Sequence, residues 1–98
     1  MVKVISRKIL REFWKKHPDS EMALRLWETK VKKADWINAH DVKNEFGDAD
    51  PVGDNRIIFN IKGNHYRLIT VVIFRNHRVY IRWIGTHKEY DRIDIYKV

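Results

Sequence analysis

Hydrophobic positions along the chain change their dominant period near Asp54. Between Ser6 and Phe46 they recur mainly at helical spacing; after Asp54 they run as strands. The short alternating run Val2-Lys3-Val4-Ile5 reads as a strand. Ser6 then stands where a helix N-cap would, and Ile9, Leu10, Phe13 and Trp14 repeat at helical spacing through Lys16. His17-Pro18-Asp19-Ser20 breaks that helix. Asp19 or Ser20 can cap a second helix, whose apolar stripe runs Ala23, Leu24, Trp27, Val31 and Ala34. A shorter helical piece over 39–46 carries Val42 and Phe46 inward, and residues 47–53, with Gly47, Asp48, Asp50, Pro51 and Gly53, read as loop.

From Asp54 onward the pattern predicts strands. Arg56–Lys62 alternates, with Ile57, Phe59 and Ile61 on one face and Arg56, Ile58, Asn60 and Lys62 on the other. Gly63-Asn64 reads as a two-residue hairpin turn, since both residues tolerate positive φ. Tyr66–Phe74 is apolar on both faces and is expected at the centre of the sheet. Asn76-His77 reads as a second turn, after which Arg78–Ile84 alternates again; Ile93, Ile95 and Val98 form an edge strand or a packed tail. The turns set a register. Asn60 should oppose Arg67, and Ile61 should oppose Tyr66. Val71 should oppose Arg82, which puts Arg67 opposite Thr86. One face then carries Ile57, Phe59, Ile61, Tyr66, Leu68, Val72, Val79, Ile81 and Trp83. The other carries Asn60, Lys62, His65, Arg67, Arg78 and Arg82 around Ile58, Ile69 and Val71.

The expected fold is α+β: N-terminal helices packed on one face of a small, mainly antiparallel sheet, in a single domain spanning residues 1–98. Four each of Trp, Tyr and Phe supply the bulk that so short a chain needs for a core. The absence of cysteine excludes disulfides and thiolate metal sites, and suits a reducing, cytoplasmic setting. No apolar run reaches membrane-spanning length, and no apolar segment follows the N-terminal Lys3, Arg7 and Lys8 to make a secretory signal, so no membrane partner is expected. A net charge of +7 points instead to nucleic acid or an acidic protein partner.

The expected register gathers chemistry at one end of the sheet. Arg67 falls between Asn60 and Thr86, with His87 adjacent in sequence and Lys62 nearby. Metal-free cleavage of RNA needs a base for the 2′-OH, cations for the phosphorane, and an acid for the leaving 5′-oxygen. Arginine binds two phosphate oxygens through its fork, imidazole exchanges protons near neutrality, and a tyrosine such as Tyr90 stacks on a base or bonds the sugar-phosphate. Taken singly, each residue also has a plainer reading. Arg67 suits a solvated strand end, His87 an incidental one, and Tyr90 with Ile93 a packed C-terminal turn. Thr86-His87-Lys88-Glu89 is moreover a capping box. His17, His40 and His77 lie at a helix end, on a polar helical piece and in a turn, at no metal-ligand spacing, so neither a metal nor a cofactor is expected.

Two stretches together narrow the choice. DNRIIFNIKGNHYRLITVVIF (54–74) and IRWIGTHKEYDRID (81–94) resemble the HigB family of bacterial toxins, within the RelE-like superfamily of ribosome-dependent mRNA endonucleases. VISRKILREFWKKHPDS and KKADW extend the resemblance over nearly the whole chain. It implies a RelE-like fold and metal-independent cleavage of mRNA in the A site of the 70S ribosome, leaving a 2′,3′-cyclic phosphate and a 5′-OH. It implies a HigA-type helix-turn-helix antitoxin, with operator DNA engaged only through the antitoxin complex. Carried over by residue, Arg67 would hold the scissile phosphate, His87 would act as acid or base, and Tyr90 would join them. Asn60, Lys62, Asn64, Arg82 and Lys88 are expected to contact RNA, and the second member of the acid/base pair is Lys62, Tyr90, Lys88 or a carboxylate. Against this stand two readings from other classes, a non-catalytic RNA- or ribosome-binding module and a module for an acidic protein partner.

Overall fold

A computed structural model describes residues 1–98. Its elements are β1 (Lys3–Ile5), α1 (Arg7–Lys16), α2 (Glu21–Lys33), α3 (Ala39–Glu45), β2 (Asp50–Gly53), β3 (Arg56–Ile61), β4 (Tyr66–Ile73), β5 (Arg78–Thr86) and α4 (His87–Tyr90). Short 3-10 turns at Pro18–Ser20 and Phe74–Asn76 join α1 to α2 and β4 to β5. The five strands form one sheet in the order β1-β5-β4-β3-β2; β1 is parallel to β5 and every other pair is antiparallel. The α+β expectation therefore holds, in a mostly antiparallel open sheet with the helices on one face.

The helices cover one face because their apolar stripes have nowhere else to go. Leu10, Leu24, Val31 and Val42 are fully buried against Phe59, Leu68, Val72 and Val79 of that face. Trp27 meets Phe59 edge-on at 5.3 Å between ring centroids, and Phe46 meets it at 5.2 Å. No helix is long and apolar enough to cross a membrane.

Several local expectations change. Ser6 precedes α1 but bonds no helix N–H through its side chain; it sits at φ 71° and its carbonyl accepts from Ile9 N–H at 3.1 Å. Neither Asp19 nor Ser20 caps α2 through its side chain. Ser20 Oγ donates to the His17 carbonyl at 2.7 Å. The segment expected as loop holds β2, which pairs Asp50 with Ile58 and Pro51 with Ile57. Pro51 is tolerated because β2 is an edge strand, where a missing N–H leaves no ladder bond unmade. Asp54 and Asn55, at φ 54° and 61°, turn the chain into β3, the pairing of conformations that tight hairpins require. At the next hairpin the register is as expected, Asn60 facing Arg67 and Ile61 facing Tyr66, but positive φ falls on Lys62 and Gly63 rather than on Asn64.

The β4–β5 connection differs most. It spans Phe74–His77, with Ile73 facing Arg78, so Val71 faces Tyr80 instead of Arg82. A bulge between Ile69 and Thr70 then shifts the remaining pairs: Thr70 faces Ile81, Ile69 faces Trp83, and Arg67 faces Gly85 instead of Thr86. Trp83 is thereby moved off the helix-covered face, and Ile84, opposite Leu68, packs there in its place. The C-terminal residues form no strand. They pack as a tail, held by Arg56 donating to the carbonyls of Ile95 at 2.9 Å, Tyr96 at 3.2 Å and Val98 at 3.0 Å.

Asp19 ties the helical layer to the hairpin. Its carboxylate accepts from Tyr66 Oη at 2.6 Å and from Lys62 Nζ at 2.9 Å. The Tyr66 bond first, then the Lys62 bond, hold the Asp19 carboxyl below its ordinary range, and the same bond pushes the Tyr66 phenol up to about 12. A lowered folded value means that the contribution is complete above the ordinary aspartate range and fades as pH falls through the folded value. The raised tyrosine value acts oppositely, stabilising below pH ~10 and fading as pH rises towards 12. Asp19→Asn should lower the thermal midpoint at pH 7 and flatten the acid limb of its pH dependence below about pH 4. An unchanged acid limb in thermal melts from pH 7 to pH 2 would show that the tie carries no stability.

Candidate functional site

β4 begins and β5 ends at the same edge of the molecule, so Arg67, Gly85 and the start of α4 come together by strand pairing alone. The His87 N–H donates to the His65 carbonyl at 3.2 Å, which anchors the first residue of α4 to the β3–β4 turn. α4 is a single turn held by a full capping box. Thr86 Oγ1 accepts from Glu89 N–H at 3.2 Å, and Glu89 Oε1 accepts from Thr86 N–H at 2.8 Å. That second bond is the main reason the Glu89 carboxyl sits below its ordinary range, and His17 adds to the effect.

Arg67 has no carboxylate partner. One terminal nitrogen donates to the carbonyls of Asn64 at 3.2 Å and Tyr66 at 3.4 Å, while the guanidinium lies 5.9 Å from the centre of the Tyr90 ring. Carbonyl bonds fix the fork in place without neutralising its charge, which leaves it able to take an anion. The His87 imidazole is half exposed, with Nδ1 3.4 Å from Asp91 Oδ2 one turn along. Nε2 has no hydrogen-bond partner within the protein. Tyr90 is half-buried beside Trp83, at 6.4 Å between centroids. Burial raises its phenol above the ordinary range and the Asp50 charge adds to that, while Arg67 pulls the other way. The proton therefore stays on Tyr90 throughout the neutral range.

The expected RNA contacts divide. Asn64 lies in the turn beside Arg67, and Lys88 is exposed on α4 next to His87. Asn60 faces Arg67 from β3, with its amide donating to Asp48 at 3.1 Å. Lys62 does not join them: its ammonium is bound to Asp19 on the helix-covered side, because positive φ at Lys62 turns it off the strand's alternation. Arg82 is the extra residue of the bulge, away from the Arg67 end, and donates to the Val98 carbonyl at 3.2 Å. Nowhere in the fold do three His, Cys, Asp or Glu side chains converge to a spacing that could hold a metal ion.

Three residues enter that sequence reasoning passed over. His65 was expected on the polar face but was not singled out, and its carbonyl positions α4. Asp91 could have been found from its i,i+4 spacing to His87 on a short helix. Trp83 had no local signal, since only the bulge brings it to this face. Together the site offers an unpaired fork, an imidazole with an open nitrogen, a proton-bearing phenol and an aromatic surface on a cationic protein. That set suits a phosphodiester.

Comparison with known proteins gives the same direction. Residues 20–93 match the HigB_toxin family model, described as the RelE-like toxic component of a toxin-antitoxin system. The chain is 30% identical over 90 residues to the mRNA interferase toxin HigB of Escherichia coli strain K12, covering 90% of this chain and 86% of that protein. The mRNA interferase HigB of Shigella flexneri matches to the same extent. The mRNA interferase HigB of Escherichia coli O6:H1 is 25% identical over 95 residues, covering 95% and 92% of the two chains.

With only one turn, α4 depends on its cap. Thr86→Val, which keeps the shape and removes the acceptor, should cost about 0.5–2 kcal/mol of unfolding free energy and speed amide exchange at Glu89 and Tyr90. Protection unchanged in hydrogen-exchange measurements would show that α4 is held by other contacts.

Proposed function

The chain belongs to the HigB family of RelE-like toxins, and from that membership we propose that it halts translation by cutting mRNA in the ribosomal A site. At the coarser level it is the toxic component of a toxin-antitoxin system and an endoribonuclease of the mRNA interferase kind. The observation that carries the finer reading is the Arg67 fork, which is held by carbonyls, free of any carboxylate, and set beside His87 and Tyr90.

In this reading Arg67 binds the non-bridging oxygens of the scissile phosphate and stabilises the charge that builds in the phosphorane. His87 takes the proton of the 2′-OH through its open nitrogen, and Asp91, facing Nδ1, stabilises the imidazolium that results. The 2′-oxygen attacks phosphorus, the bond to the 5′-oxygen breaks, and Tyr90 supplies the proton that the leaving oxygen needs. The products are a 2′,3′-cyclic phosphate and a 5′-OH. No metal enters the scheme. Asn60, Asn64 and Lys88 would line the approach of the strand, with Lys62 outside it because Asp19 holds its ammonium and Arg82 outside it because the bulge sets it away from the Arg67 end.

On this reading the protein works in the cytoplasm, on 70S ribosomes. A HigA-type helix-turn-helix antitoxin would silence it, with operator DNA bound only through that complex. The net charge of +7 favours both an RNA target and an acidic inhibitor segment.

Induced alone, the chain should arrest bacterial growth and create new mRNA 5′ ends bearing hydroxyl groups. Arg67→Ala and His87→Gln should each lower cleavage by roughly 10²–10³-fold and restore growth. Full toxicity of both variants at equal protein levels would remove the assignment of the site. Arrest without any new 5′ ends would mean a ribosome-binding module in place of a nuclease.

A further inference from the structure

Trp83 has a position that neither folding nor the cleavage chemistry above accounts for. A large apolar side chain at the third inward position of β5 would ordinarily go into the core, as Val79 and Ile81 do. The bulge at Ile69–Thr70 turns Trp83 to the opposite face, that of Arg67, and leaves it partly exposed. Two residues on, Gly85 gives it room. A Cβ at position 85 would lie 2.4 Å and 2.5 Å from two ring carbons of the Trp83 indole. The backbone there is not in the left-handed region that favours glycine, so the conformation does not call for one. What the missing side chain permits is the ring itself, whose Cζ2 and Cη2 carbons occupy the space over Gly85, which is buried.

Gly85 is also the residue directly opposite Arg67. The indole therefore lies on the Arg67 face of the sheet, with Tyr90 near both groups. The Trp83 and Tyr90 rings are 6.4 Å apart, tilted by 44°, and the Arg67 guanidinium is 5.9 Å from the Tyr90 ring. An aromatic face next to a cationic fork is the pairing by which single-stranded nucleic acids are held, with base on ring and phosphate on charge.

We propose that Trp83, seated over Gly85 by the β5 bulge, is a stacking platform for a nucleobase flanking the scissile phosphate. The proposal rests on the reading of Arg67 as the phosphate clamp and adds the base-binding half of the same site. Stacking holds the nucleotide by its π-face and takes no part in proton transfer. Its loss falls chiefly on substrate binding, and it tolerates another aromatic ring.

The test uses the full chain on programmed 70S ribosomes carrying a short mRNA in the A site. Cleavage is compared between that mRNA and copies with a single abasic nucleotide on either side of the cut. Trp83→Leu should raise KM about tenfold, with a much smaller effect on kcat, and Trp83→Phe should recover most of the loss. For the wild-type chain one abasic position should raise KM by a similar factor, and in Trp83→Leu that same position should have no further effect. Gly85→Ala should behave like Trp83→Leu, since its Cβ displaces the indole. Thermal melts of all three variants separate this from misfolding, and Trp83→Leu remains decisive should Gly85→Ala not fold. Equal KM for wild type and Trp83→Leu, or abasic penalties that persist undiminished in Trp83→Leu, would overturn the platform while the wild-type cut leaves the clamp standing. No cut by the wild-type chain would overturn both.

Discussion

One irregularity in strand pairing organises the working end of this molecule. β5 carries one residue more than β4 can pair across Ile69–Thr70, and that residue, Arg82, is left out of the ladder. Because side chains alternate with period two, the insertion reverses every residue of β5 beyond it. Ile84 turns in to the core, while Trp83 and Gly85 turn out, with Gly85 directly opposite Arg67. Without the bulge the strand end would present Ile84 to solvent and bury Trp83. Arg67 would then stand beside an aliphatic patch in place of an aromatic one.

Around that end, position is secured from several directions by groups that do not themselves touch substrate. The Thr86–Glu89 capping box winds α4, and the His65 carbonyl docks its first residue to the hairpin. The Asp19 carboxylate binds Tyr66 and Lys62, fixing the first residue of β4 to the junction of α1 and α2. On the far side, Arg7 pairs with Glu28, a carboxylate that is only 6% exposed between the helices. A buried carboxylate is tolerable only with such a partner, and the pair fixes how α1 lies on α2. Arg56 holds the tail through three carbonyls. Lys62 and Arg56 thus stand apart from Arg67, since the first two meet carboxylates and Arg67 meets only carbonyls. Net charge alone does not reveal that division.

The elements legible in the sequence were those with strong local periodicity. α1, α2 and α3 follow their apolar stripes, and β3 and β4 follow their alternation with the register that Gly63 suggests. The capping box at Thr86 was readable because its two bonds join residues three apart. β2 was missed because Asp50-Pro51-Val52-Gly53 has the composition of a loop; it becomes a strand only because β3 offers it an unpaired edge. Asp54-Asn55 was the signal that could have found it, as a pair suited to the positive φ of a tight hairpin.

Arg67, His87 and Tyr90 could be singled out from sequence because each lies within a few residues of a turn or cap that sets its place, and because the surrounding motifs resemble those of a known family. Composition and spacing also determined the α+β class and the cationic character. Tertiary structure alone decided which cations are free. Lys62 is claimed by a carboxylate 43 residues away, whereas Arg67 meets only the carbonyls of Asn64 and Tyr66. It alone decided the face of Trp83, since a bulge is a mismatch between two strands and exists in neither one taken singly. Local pattern fixes what a residue can do, and pairing across the sheet settles what it meets.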